Sequence, residues 1–168
     1  ALVAHILREA GRDVQMGGNI GTAILSLEPP SPDRIHVVEM SSFQIDLTPS
    51  LAPSVGVLMN ISPDHLDRHS TMANYAAIKE RLVAHADMAV IGIDDEASRA
   101  IFRRRRDTHP GETVFVSVGD IAGFGYRIEG SKLIAELWSD TRVAADLAGI
   151  GSLRGAHNAQ NAAVTLAV

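Results

Sequence analysis

Short apolar runs rich in β-branched residues, each ending abruptly in polar residues, limit what this chain can fold into more than any other feature. Arg34-Ile35-His36-Val37-Val38-Glu39-Met40, Ser54-Val55-Gly56-Val57-Leu58-Met59-Asn60, Met88-Ala89-Val90-Ile91-Gly92-Ile93 and Thr113-Val114-Phe115-Val116-Ser117-Val118 all fit that description. Near-continuous apolar runs belong to strands buried on both faces, as parallel strands are once helices cover them. Between these runs the spacing becomes helical. Tyr75, Ile78, Leu82 and Val83 recur at helical intervals in Met72 to Ala86, and Asp94 can cap a helix that runs through Arg106. Such alternation is that of β-α-β units and predicts an α/β domain, a mostly parallel sheet flanked by helices.

The two ends add detail. Ala1 to Ala10 places Leu2, Ile6 and Leu7 on one helical face and stops at Gly11, yet no capping residue or initiator methionine precedes it. The last segment, Ala156 to Val168, carries Ala159, Ala163, Leu166 and Ala167 and shows no stop signal. The reading is a chain truncated at both ends. Residues 125–128, 132–137 and 142–147, separated by turn residues, predict a small antiparallel β appendage. Repeats, linkers and low-complexity tracts are missing, so residues 1–168 are read as one domain.

Composition excludes several classes. The 168 residues contain no cysteine, which rules out disulfides, thiolate metal sites and a cysteine nucleophile. No apolar run approaches the roughly 18 residues that span a bilayer, and the start has no signal-peptide character. A net charge of −5 weighs against nucleic acid as a partner and requires local cations for any anionic substrate. The expectation is a soluble cytoplasmic protein, with no membrane and no nucleic-acid partner.

In open α/β sheets ligands gather beyond the carboxyl ends of strands. Three polar stretches qualify. Gly17-Gly18-Asn19-Ile20-Gly21 permits close backbone approach, with Asn19 able to hydrogen-bond a polar ligand; the alternative is a plain glycine-rich turn between helices. Glu39-Met40-Ser41-Ser42-Phe43-Gln44 follows a strand and offers a carboxylate suited to magnesium, which needs only one or two protein carboxylates beside substrate phosphates. The serines serve equally well as caps of the next turn. Asn60-Ile61-Ser62-Pro63-Asp64-His65-Leu66-Asp67-Arg68-His69 concentrates acids and imidazoles. A helix starting at Ser62-Pro63 explains the acids but not His65 and His69, which are metal ligands or solvated surface groups.

Further along, Lys79 shares a helix face with Tyr75. Arg103 to Arg106 sits where a helix ends, a position that favours solvated cations over a binding patch. Gly155-Ala156-His157-Asn158-Ala159-Gln160-Asn161 opens the last helix with amides one turn apart, suited to an adenine edge, although Asn158 can also be a cap.

Taken in order, these motifs resemble the ATP-dependent Mur ligases of peptidoglycan precursor synthesis and the related folylpolyglutamate synthetases. Glu39, the Asn60 to Asp67 block, Tyr75 with Lys79, and Gly155-x-His157-Asn158-x-x-Asn161 carry the resemblance over essentially the whole chain. Gly18-Asn19-Ile20-Gly21 and Ser41-Ser42-Phe43-Gln44 look like the branch that adds D-glutamate to UDP-N-acetylmuramoyl-L-alanine. The resemblance implies a P-loop/Rossmann-like ATP-binding central domain, ATP and Mg2+ as cofactors, small-molecule substrates and a monomeric enzyme. It implies that Glu39 holds a magnesium near the ATP phosphates, and that His65 and a carbamylated Lys79 serve a second. It also implies that Asn19 and Ser41 meet the muramoyl substrate, that Asn158, Asn161 and His157 lie on the nucleotide side, and that Tyr75 supports Lys79. The family's phosphate loop and its N- and C-terminal domains are not in these 168 residues, so the fragment by itself is expected to be inactive. The alternatives are another ligase of the group, with a different amino acid or a folate acceptor, and a nucleotide-binding module without activity.

Overall fold

The computed structural model describes residues 1–119, 121, 123–137 and 140–168, which divide into two units, residues 1–47 and 48–168. In the first unit, helix α1 (Leu2–Glu9) stops at Gly11 as expected, and the Arg12 N–H returns to the Leu7 carbonyl at 3.0 Å, six residues closing the turn. Arg8 then donates twice to the Val14 carbonyl and ties the helix to strand β1 (Asp13–Gly18). This strand corrects the reading of a glycine-rich turn between helices. Its partner is β2 (Arg34–Glu39), parallel and in register from Asp13 opposite Arg34 to Gly18 opposite Glu39. Gly18 is required at the end of that register: its φ is +115°, and a Cβ would lie 2.2 Å from the Glu39 carbonyl oxygen. The short helix α2 (Ser42–Asp46) follows β2.

The second unit carries β3 (Val55–Leu58), α3 (Leu66–His69), α4 (Met72–Ala84), β4 (Met88–Gly92), α5 (Glu96–Thr108), β5 (Thr113–Ser117), β6 (Gly125–Glu129), β7 (Lys132–Leu137), β8 (Asp140–Asp146) and α6 (Ala156–Ala167). Its sheet runs β3-β4-β5-β6-β7-β8. The first three pairings are parallel and the last two antiparallel, so the antiparallel strands extend the main sheet through the β5–β6 pair. The fold class is the expected one. Its core gathers Leu58, Ile91, Ile93 and Phe115 from the strand regions with Tyr75, Val83, Ile101 and Phe102 from α4 and α5. Phe102 and Phe115 meet edge to face at 6.2 Å, a favoured aromatic geometry.

Three local readings need correction. Asp95, not Asp94, caps α5, accepting the Ser98 N–H; a one-residue shift in where the chain leaves β4 decides which carboxylate faces the open helix end. No helix starts at Ser62-Pro63: α3 begins four residues later, after His65 in a left-handed conformation. Among the four arginines, Arg105 is buried at 7% exposure. Its guanidinium donates to the carbonyls of Ala84 at 2.8 Å and Ala86 at 2.6 Å, closing the end of α4 against the sheet. Arg104 instead pairs with Glu80, and Arg106 lies over the Phe102 ring.

Candidate functional site

The candidate residues fall into three groups, one in residues 1–47 and two in residues 48–168. In the first, the register of β1 and β2 places Gly18 and Glu39 side by side at the carboxyl ends of both strands. The Asn19 N–H donates to the Glu39 carbonyl at 2.8 Å, leaving the exposed Asn19 side chain just beyond the strand. Glu39 is exposed, and its carboxylate has no hydrogen-bond or ion-pair partner among the described residues. Ser41 caps α2 in a reciprocal box: its hydroxyl accepts the Gln44 N–H, and the Gln44 side chain accepts the Ser41 N–H at 2.9 Å. The serine thus has the structural role that the sequence left open, and the box fixes the chain leaving Glu39.

The second group lies beyond β3. His65 has φ 51° and ψ 34°, a conformation that costs a non-glycine residue about 1–2 kcal/mol. Asp64 holds it there: one carboxylate oxygen accepts the His65 N–H at 2.9 Å and the other lies 3.4 Å from Nε2. His69 is neither solvated nor available as a surface ligand, because it is 4% exposed with its ring 5.4 Å from that of Tyr75. Lys79 on α4 extends over the Tyr75 ring at 5.8 Å from its centroid, and its ammonium has no carboxylate partner among the described residues. Burial first, and then the negative charge of Asp64, push the Tyr75 phenol above its ordinary value. Tyr75 therefore lies within the electrostatic reach of the Asp64-His65 turn on one side and touches Lys79 on the other.

The third group is the start of α6, whose first residue follows Gly155 at φ +89°. Asn158 donates to the Arg154 carbonyl at 2.9 Å, while His157 and Asn161 are exposed. Between Asn158 and Asn161 sits Gln160, a residue that attention to the asparagines passed over. It is 6% exposed and donates to Asp94 at 3.0 Å. Asp94 also accepts from the Ser117 hydroxyl at 2.6 Å and from the Val118 N–H. Its neighbour Asp95 accepts the Ile61 N–H at 3.1 Å in addition to capping α5. Consecutive aspartates after an apolar strand run are the signal that would have found this turn.

Among the described residues no three histidine, aspartate or glutamate side chains converge into a group able to hold a metal. A magnesium ion bridged by phosphates asks the protein for only one or two oxygens and would not require such a group. Glu39, whose carboxylate has no partner among the described residues, offers one such oxygen ligand. Among the described residues no helix is long and apolar enough to cross a membrane.

Comparison with known proteins follows the same lines. The model of the Mur ligase middle domain matches residues 1–168. The UDP-N-acetylmuramoylalanine--D-glutamate ligase of Nitrobacter hamburgensis is 56% identical over 166 residues, 97% of this chain and 35% of that protein. The enzyme of the same name from Brucella abortus is 56% identical over 162 residues, 96% of this chain and 34% of that protein. The chain thus spans about a third of the length of these curated relatives. A crystal structure of MurF ligase from Thermotoga maritima in complex with ADP shares the fold, with a TM-score of 0.59 and 16% identity over 98% of this chain and 40% of that one. Matched from end to end by the middle-domain model and more than half identical to these ligases over nearly its whole length, the chain belongs to the Mur ligase family.

Proposed function

We propose that this chain is the ATP-binding part of a cytoplasmic ligase that joins D-glutamate to UDP-N-acetylmuramoyl-L-alanine. The observation that carries the reading is the 56% identity across nearly the whole chain to ligases of that name. In this reaction an oxygen of the substrate's terminal carboxylate attacks the γ-phosphorus of ATP, ADP departs, and an acyl phosphate results. The amine of D-glutamate then attacks the acyl carbon, inorganic phosphate leaves, and the nitrogen loses a proton as the amide forms. Phosphoryl transfer of this kind depends on positioning and charge stabilisation more than on a protein nucleophile.

The residues take roles that suit this demand. Glu39 would hold one magnesium beside the phosphates, and His65 with carbamylated Lys79 would hold a second near the acyl group. Bound magnesium supplies charge neutralisation on the phosphate oxygens. Lys79 has no carboxylate partner among the described residues, and its Nζ lies 5.8 Å from the Tyr75 ring centroid, which would place a carbamate on that nitrogen beside the ring. Asn19 and Ser41 face the muramoyl substrate in this reading, and Asn158, Asn161 and His157 the nucleotide. The test is ADP release by the complete gene product with magnesium, ATP and UDP-N-acetylmuramoyl-L-alanine, comparing D-glutamate with other amino acids. Turnover specific to D-glutamate, falling at least about 100-fold in Lys79→Ala, is the expected result. Absence of turnover with every amino acid overturns it.

A further inference from the structure

The turn Asp94-Asp95, between β4 and α5, belongs to none of the groups assigned above, yet its two carboxylates reach toward both groups of residues 48–168. Asp94 gathers the end of β5 and the first turn of α6: it accepts from Ser117 Oγ at 2.6 Å, from the Val118 N–H at 3.1 Å and from Gln160 Nε2 at 3.0 Å. Ser117 is fully buried and passes the tie onward, its Oγ accepting the Gly119 N–H at 2.9 Å. Gln160 is nearly buried, and its Nε2 lies close to Gly92, where a Cβ would stand 3.2 Å away. A buried amide pinned to a carboxylate permits one rotation of α6 about its axis, because another rotation would leave the amide unpaired in a dry place. Asn158 and Asn161 flank Gln160 in sequence and inherit that rotation.

Asp95 acts in the opposite direction. Its Oδ1 accepts the Ser98 N–H and caps α5, while its Oδ2 accepts the Ile61 N–H at 3.1 Å. Ile61 is buried and begins the loop that delivers Asp64 and the strained His65. A left-handed histidine persists only where its surroundings over-determine it, and the Ile61 tie supplies one such constraint.

We propose that Asp94 with Gln160 is a positioning pair for the nucleotide-side amides of α6, and that Asp95 is a positioning residue for the His65 loop, so that one two-residue turn sets the spacing between the two groups. The inference rests on the functional reading above. It requires the two halves of the turn to fail separately, an outcome that general loss of packing would not give.

The test uses the complete gene product. Gln160→Leu keeps the volume and removes the donor. Asp95→Asn keeps an oxygen to cap α5 but presents an amide to the Ile61 N–H. ADP affinity is measured by calorimetry, the half-saturating magnesium concentration in turnover, and Mn2+ binding by electron paramagnetic resonance. Gln160→Leu is expected to weaken ADP binding and raise KM for ATP about tenfold, with magnesium dependence held near wild type. Asp95→Asn is expected to raise the magnesium requirement and weaken Mn2+ binding while ADP affinity holds. Asp94→Leu, which also removes the partner, should weaken ADP binding as Gln160→Leu does, whereas Asp94→Asn, whose amide still pairs with a flipped Gln160 side chain, should weaken it less. ADP affinity unchanged in Gln160→Leu, or the same loss of both functions in both variants, overturns the proposal. Wild-type protein that binds ADP yet ligates nothing overturns the functional reading alone, and the ADP comparison still decides the role of Gln160.

Discussion

Arg105→Met isolates what one buried guanidinium does for the sheet. Methionine retains the apolar stem and removes the fork that donates to the Ala84 and Ala86 carbonyls. Each buried carbonyl left without a partner costs about 1–3 kcal/mol, so two cost roughly 2–6. Two effects offset part of this: a charged group no longer has to be desolvated, and Arg105 Nε, buried without a partner among the described residues, is removed as well. If each recovers about 1–2 kcal/mol, roughly 3 of a central 4 kcal/mol is returned and the net loss is about 1 kcal/mol. The assay is urea unfolding of the 168-residue chain followed by the NMR signals of Ile91 and Ile101, which report on residues 48–168. At a slope of about 2 kcal/mol per molar, the midpoint should fall by roughly 0.5 M at unchanged slope. Arg105→Lys, a point charge able to reach one carbonyl, should lose about half as much. A midpoint within about 0.2 M of wild type for Arg105→Met would refute the reasoning and place the guanidinium among the solvated arginines that the sequence suggests.

Other expectations follow from particular contacts. Gly92→Ala sets a Cβ 1.9 Å from the Met59 carbonyl oxygen and should destabilise by about 3 kcal/mol, whereas Gly111→Ala, with open space around it, should be neutral in the same denaturation series. The Arg127 guanidinium, then the Gly123 N–H, holds the Glu136 carboxyl below the usual carboxylate range. Its contribution is therefore complete above the unfolded carboxylate's titration and is lost as pH falls through the lowered folded value; the Gly123 amide signal in an acid NMR titration should follow that loss, and Glu136→Gln should abolish it. Ser41→Ala removes the acceptor of the Gln44 N–H and should cost about 1 kcal/mol, while Ser41→Asp, another good cap, should restore the loss in thermal unfolding.

How much of this was legible depends on which forces left a mark in the residue pattern. The strands β4 and β5 announce themselves because burial on both faces demands continuous apolar runs, and β2 and β3, less deeply buried, by their β-branched residues; the runs end where the candidate groups begin. β1 stayed hidden: Asp13-Val14-Gln15-Met16-Gly17-Gly18 has one β-branched residue and two glycines, and only pairing with β2 makes it a strand. The start of α3 and the conformation of His65 were illegible because Ser62-Pro63 is a sound helix start locally, whereas the Ile61 N–H just before it is tied to Asp95. Arg105 was readable in principle, since it shares a helix face with Ile101 and Phe102 at intervals of four and three. Four identical side chains in a row concealed it. Gln160 was visible as a residue but not as a buried one, because its partner Asp94 lies 66 positions away. Of the candidate groups, the sequence supplied the ligand chemistry, and distant hydrogen bonds supplied the orientation.

On the metal-binding role proposed for His65, its left-handed backbone would set thermal robustness against chemistry at a single position. Glycine there would relieve roughly 1–2 kcal/mol of strain and give back about half through greater freedom of the unfolded chain, a small net gain in melting temperature. Directed evolution screened on heat resistance alone would therefore drift toward glycine and discard the imidazole. On that proposed role, a library meant to yield a sturdier enzyme would hold position 65 fixed and seek its gains elsewhere.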